Sequence, residues 1–161
     1  MSFTLRPYHP DDAHHLLQLF QQTVRNVNNA DYSPEQLEAW APENLDPQPW
    51  IDRFEGHIAW VATEGTLAVG FSDMTTEGYI DRLFVSHQHQ RQGIARALLT
   101  QLIDQALQLQ LPKLTTEASL TARPFFEAMG FEVVCQQTVH CRGMDFVNFQ
   151  MQRFLPESRP E

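Results

Sequence analysis

Arg91-Gln92-Gly93-Ile94-Ala95-Arg96 sets two cations around a glycine and an alanine, just after Gln90. The apolar stretch Leu83-Phe84-Val85 precedes this loop, and a long helical pattern follows it. The first N–H groups of a helix have no internal acceptor, and with the helix dipole they make a ready anion site. Gly93 has no side chain to keep a phosphate from the backbone, and Ala95 keeps the first turn small. The loop therefore reads as a seat for a phosphate-bearing ligand. Neither a P-loop nor the three-glycine dinucleotide fingerprint is present.

The other reactive side chains carry less. His87 and His89 have no third ligand nearby, so a solvated loop is the simpler reading and no metal is expected. His14-His15 falls on a helical stretch and is equally uninformative. Cys135 and Cys141 sit on one predicted strand and read as two reduced thiols. His140 and Arg142 read as a surface hairpin, ahead of the alternative that they reach a binding cleft.

The loop is held by a predicted alternation of strands and helices. Residues 3–8 alternate as a short strand. Pro10-Asp11-Asp12 opens a helix whose apolar stripe is Ala13, Leu16, Leu17, Phe20, Val24 and Val27. Ser33-Pro34-Glu35-Gln36 predicts a second helix with a capping box. Prolines 42, 47 and 49 then interrupt the chain, with a short helix at residues 50–54. Residues 57–63 and 67–74 form two strands turned at Glu64-Gly65, and 78–86 a third. Residues 93–110 form the longest helix, stopped by Pro112. Residues 113–118 are a strand, and 120–129 a helix ended by Gly130. Residues 132–140 and 145–154 pair through a turn at Arg142-Gly143.

Hairpin-length connections make the early strands antiparallel. The two strands flanking the long helix need a crossover and should run parallel. The fold class expected is mixed α/β: a mostly antiparallel sheet of about seven strands with helices on both faces. Residues 1–155 read as a single domain and 156–161 as a disordered tail.

The chain has 161 residues, 20 acids against 11 bases, and a formal charge of −9. Nucleic acid is disfavoured as a partner, while a small cation suits the surface. No apolar run approaches the ~20 residues of a membrane helix. The N-terminus lacks the pattern of a signal peptide, so a cytoplasmic location is the default expectation.

Two motifs make the reading specific. Gln90-Arg91-Gln92-Gly93-Ile94-Ala95 resembles the Gln/Arg-x-x-Gly-x-Gly/Ala motif of the GCN5-related N-acetyltransferase superfamily. Ala122-Arg123-Pro124-Phe125-Phe126-Glu127-Ala128-Met129-Gly130-Phe131 resembles its second signature. The element order matches over nearly the whole chain. The resemblance implies acetyl-CoA as acyl donor, with its pyrophosphate at the amides of Gln90, Arg91, Gln92, Gly93, Ile94, Ala95 and Arg96. It implies that the pantetheine arm pairs with backbone at Leu83, Phe84 and Val85, where the parallel strands splay. Ser119 stands where the superfamily often has Asn, and still offers a hydrogen bond. Phe126 stands where many members have a Tyr that protonates the departing thiolate, so water, Ser119 or Thr121 would have to serve. Asp81 is placed as the base or water-positioner. Tyr32, Trp40, Tyr79 and Glu117 are placed against the acceptor.

These implications leave an N-acetyltransferase acting on a small or protein amine, monomeric or homodimeric, ahead of a non-catalytic acyl-CoA-binding module. An acyltransferase acting on charged transfer RNA fits the acidic charge badly. Residues 26–52 contain Asp31, Glu35, Glu38, Glu43, Asp46 and Asp52 but no Lys or Arg. With Tyr32, Trp40 and Trp50 among them, the acceptor expected is a cationic amine.

Overall fold

Strands and helices alternate in the computed structural model of the protein, which describes residues 2–156. All but the first residue of the expected tail lies outside that range. Seven strands form one sheet in the order β1-β2-β3-β4-β5-β7-β6. They are β1 (Thr4–Pro7), β2 (Ile58–Glu64), β3 (Leu67–Met74), β4 (Tyr79–Val85), β5 (Lys113–Ser119), β6 (Glu132–Cys141) and β7 (Met144–Phe154). Every neighbouring pair is antiparallel except β4–β5. The helices are α1 (Ala13–Asn26), α2 (Pro34–Trp40), α3 (Pro47–Asp52), α4 (Ile94–Gln108) and α5 (Arg123–Ala128).

Local signals set many of the boundaries. Ser33 accepts from the Gln36 amide at 3.1 Å and Gln36 returns a bond to the Ser33 N–H at 2.9 Å, the reciprocal capping that Ser-Pro-Glu-Gln predicts. Arg142 and Gly143 both take positive φ, 46° and 84°, and turn β6 directly into β7. Two ends differ from the sequence reading. The short helix lies at Pro47–Asp52 rather than 50–54, because Asp46 caps it and Pro47 starts it. The later helix begins at Arg123, not 120, because the Ser119 hydroxyl takes the Ala122 amide at 3.1 Å and holds a turn there.

Apolar side chains fill both sides of the sheet. Leu16, Phe20, Val24, Leu37 and Trp50 pack with Phe71 on one side. Leu99, Leu102, Ile103 and Phe126 pack with Met74, Ile80, Phe149 and Met151 on the other.

β4 decides what reaches the site. Asp73 pairs with Arg82, but Met74 pairs with Ile80, so Asp81 is an extra residue opposite β3. Such a bulge re-aims side chains. Ile80 stays with the α4 side of the core, while Arg82 turns toward Trp50 and Phe54. Strict alternation would have put both on one face.

Candidate active site

β4 and β5 pair only at Tyr79↔Thr115 and Ile80↔Thr116. Beyond these the strands part, and the gap runs to the start of α4. A cleft of about 1300 Å³ follows this gap, lined by β4 residues from Tyr79 to Val85.

One end of the cleft is the loop before α4. Gly93 caps that helix with φ 84°, a left-handed conformation suited to glycine. Arg91 is also left-handed, at φ 60°. Gln90 does not face a ligand through its amide nitrogen, which donates to the carbonyls of Val85 at 2.8 Å and Ser86 at 3.1 Å. It staples the loop to the strand end. The Val85 carbonyl also accepts from Thr23 at 3.1 Å, so it comes to the gap already engaged. Arg91 and Arg96 line the cleft and neither has an ion-pair partner among the described residues. Free cations, exposed helix amides and a glycine with no atom near its missing Cβ suit a pyrophosphate. Buried polar atoms without a partner occur at Arg82 Nη1, His89 Nδ1 and Asn148 Oδ1, and all three residues line this cleft. Orphaned polar atoms in a cleft are where a ligand's polar groups are expected.

The far end mixes aromatic and charged groups. Trp40 lies edge-on to Phe20, Tyr32, Phe84 and Phe146. Tyr32 belongs to this wall, and its hydroxyl accepts the Leu120 amide at 2.9 Å, just past the end of β5. Asp81 bonds Arg53 at 2.7 Å. Glu117 lies beside the Tyr79 hydroxyl, near the point where β4 and β5 still pair. Phe126, 3% exposed, meets Phe125 and Phe131 edge-on and touches the cleft with its remaining surface. The expected residues Asp81, Ser119, Tyr32, Trp40, Tyr79 and Glu117 are thus brought around one cleft with Leu83, Phe84, Ile94 and Ala95. Gln92 is the member of the loop that does not line it. Of the acids in residues 26–52, Asp46 lines the cleft. Glu38 and Glu43 close on Arg25 at 3.3 and 2.6 Å instead.

One buried group was not singled out from sequence. Arg82 holds Asp73 through two bonds, 3.0 and 2.6 Å, with both side chains almost without exposure. Its guanidinium carbon stands 3.9 Å from the Phe54 ring centre and 4.5 Å from that of Trp50. His57 bonds the same Asp73 carboxylate at 2.7 Å. An Asp and an Arg nine positions apart on two strands carry no local signal of pairing.

Burial pushes all three tyrosines up. Tyr79 rises to about 12, with Glu117 and Asp81 adding to burial. An unfolded tyrosine ionises near ~10, so between there and about 12 the folded chain holds the Tyr79 proton that the unfolded chain has lost. Stability should therefore fall as pH rises through that window. Phenolate absorbance should appear late in the native protein, and urea midpoints should drop as the pH rises from ~10 to about 12. Phenolate forming near pH 10 in the folded protein would contradict the buried setting of Tyr79.

Residues 28–153 match the acetyltransferase (GNAT) domain. The chain belongs to the GNAT acetyltransferase family. It is 40% identical over 153 residues to the uncharacterized N-acetyltransferase YafP of Escherichia coli K12, covering 95% of this chain and 96% of that one. A GCN5-related N-acetyltransferase from Rhodopseudomonas palustris superposes with TM-score 0.92 at 30% identity, over 96% of this chain and 97% of that one. The Salmonella typhimurium protein yncA, solved with its cofactor acetyl-CoA, has the same fold at TM-score 0.72 and 18% identity, over 100% and 98%. Among the described residues no helix is long and apolar enough to cross a membrane.

Proposed function

We propose that this GNAT protein is an acetyl-CoA-dependent N-acetyltransferase that moves the acetyl group to a primary amine by direct attack in a ternary complex. The parting of β4 and β5 after two residue pairs carries the reading. It leaves strand edge for an extended, amide-bearing arm and leads straight to the α4 amides. A donor bound this way places its pyrophosphate against Arg91, Gly93 and Arg96 and its thioester toward the bulge at Asp81. The amine nitrogen attacks the thioester carbonyl, the C–N bond forms and the C–S bond breaks. The electron pair leaves on sulfur. Asp81 receives the proton lost by nitrogen, and the Ser119 hydroxyl, with water, serves the thiolate. A thiolate is a tolerable leaving group, since free thiols titrate near ~8.5. Asp46 and Glu117, acids in the lining that no arginine holds among the described residues, support a cationic acceptor.

The test is thiol release from acetyl-CoA across a panel of primary amines, with the acetylated product identified by mass. Release that depends on an amine supports the reading, and none with any amine counts against it. Phe126 favours a second reading, a non-catalytic acyl-CoA-binding module. In that case calorimetry would find acetyl-CoA bound and the panel silent. Phe126→Tyr is expected to fold, keep donor affinity, and raise turnover wherever thiolate departure limits it. Loss of turnover with folding intact would mean that the added hydroxyl disturbs the packing with Phe125 and Phe131.

A further inference from the structure

The proposed transfer uses none of the aromatic wall at the far end of the cleft. Trp40 and Phe84 are half-buried and both line it. Trp40 meets Tyr32 at 5.5 Å, Phe146 at 6.2 Å, Phe84 at 6.3 Å and Phe20 at 6.5 Å between ring centres, always steeply inclined. Phe84 belongs to β4 and Phe146 to β7, so Trp40 reaches from one side of the parted strands to the other. Val139 and Val147, half-buried on β6 and β7, continue the apolar lining. A buried tryptophan normally finds a partner for its N–H. Trp50 does, giving its proton to the Ala13 carbonyl at 3.0 Å. The Trp40 N–H has no hydrogen-bond partner among the described residues. The charges around this wall are mixed. Asp46 and Glu117 line the cleft unheld by any arginine, but Arg53 holds Asp81 at 2.7 Å. Arg142, fixed at 2.8 Å to the carbonyl of Ala39 next to Trp40, lines the cleft as well.

We infer that the acceptor is a monoamine whose body carries a flat apolar ring, and that Trp40 seats that ring. The inference rests on the acetyltransferase reading of this cleft and adds the shape of the substrate to it. Aromatic rings pack edge-on or offset at the spacings this wall already holds, so a ligand ring laid on Trp40 extends the array. The free indole N–H can meet the ring's face or a polar substituent on it. A polyamine suits the lining less well, because each added cation would meet Arg53 or Arg142 as readily as an acid. The nitrogen is borne on a saturated carbon, which keeps it basic and lets Asp46 and Glu117 attract its charged form. An amine attached directly to the ring is uncharged near neutral pH and would gain nothing from those acids. Trp40 is thus a specificity residue: it touches the body of the substrate and takes no part in the bonds that form and break.

The experiment uses the full chain and saturating acetyl-CoA with three amines. Phenethylamine carries the ring, ethylamine lacks it, and spermidine has further cations in its place. For phenethylamine kcat/KM should exceed that for each of the others by at least about tenfold, with the difference mainly in KM, because burying a ring adds binding that ground state and transition state share. In Trp40→Ala the ratio of phenethylamine to ethylamine should fall toward one. The comparison in the parent protein needs no variant to fold. Ethylamine or spermidine matching or exceeding phenethylamine in the parent overturns the ring-bearing acceptor while transfer itself stands. A folded Trp40→Ala that keeps the parent ratio overturns it too. If that variant instead changes the preference between acetyl-CoA and butyryl-CoA, the wall serves the acyl chain and the inference falls. A parent that binds acetyl-CoA and acetylates no amine overturns the transferase reading and this inference together.

Discussion

Gly93→Glu should abolish acetyl-CoA binding, with affinity lowered at least about a hundredfold, while the fold persists. The two halves of this expectation have separate causes. Gly93 caps α4 at φ 84°, and a Cβ built there meets no atom within 4 Å. A side chain is therefore unopposed by packing, and its cost is the left-handed backbone, on the order of 1 kcal/mol. The carboxylate, however, would stand among the amides and arginines that the pyrophosphate needs, adding repulsion to bulk. A hundredfold is about 2.7 kcal/mol, within reach of one misplaced charge beside a dianion. Gly93→Ala separates the effects, since it carries the backbone strain without the charge. Calorimetry with CoA, beside circular dichroism of each variant, reads both. Parent-like affinity in a folded Gly93→Glu would place the pyrophosphate elsewhere.

Arg82→Leu should produce the largest loss of stability of any single change near the cleft, about 3–5 kcal/mol. The Arg82 and Asp73 side chains are 3% and 0% exposed, and the guanidinium gives Asp73 two bonds of 3.0 and 2.6 Å. Removing it leaves a buried carboxylate with His57 as its remaining partner. The aromatic sandwich from Phe54 and Trp50 loses its cation as well. For a domain of this size the melting temperature should drop by roughly 10 °C. Changing Asp73 and Arg82 together to Leu should cost clearly less than Arg82→Leu alone, because no charge is then stranded. Urea denaturation of the three variants makes the comparison. Equal losses for the single and double changes would mean that packing volume rather than charge sets the penalty.

The two motifs could be read from sequence because each is a local device. Gly93 and Ala95 sit within one loop and one helix turn. Ala122 to Phe131 spans one helix and its stop, where Gly130 takes φ 88°. The capping box at Ser33 and Gln36 and the turn at Arg142-Gly143 are short-range bonds and dihedrals of the same kind. The period of apolar residues likewise fixed the strands and helices and, through connection length, which strand pair runs parallel. Terminal residues were less legible, since the capping bond of Asp46 and the turn held by Ser119 each moved a helix start.

What periodicity could not supply is the register of one strand against another. The bulge at Asp81 comes from how β4 lies on β3, and it decides that Ile80 enters the core while Arg82 turns to the aromatic face. The pairing of Asp73 with Arg82 and His57, of Asp81 with Arg53, and of Tyr32 with Leu120 joins positions from 9 to 88 apart. Each exists only because strands and helices remote in sequence are packed side by side. By itself the sequence determined that a glycine-bearing loop precedes a long helix in a mixed α/β chain of the GNAT pattern. Tertiary structure decided which acids face the cleft, which are neutralised by arginines, and which histidine bonds the buried Asp73, because burial and proximity are properties of the packed sheet rather than of the strand.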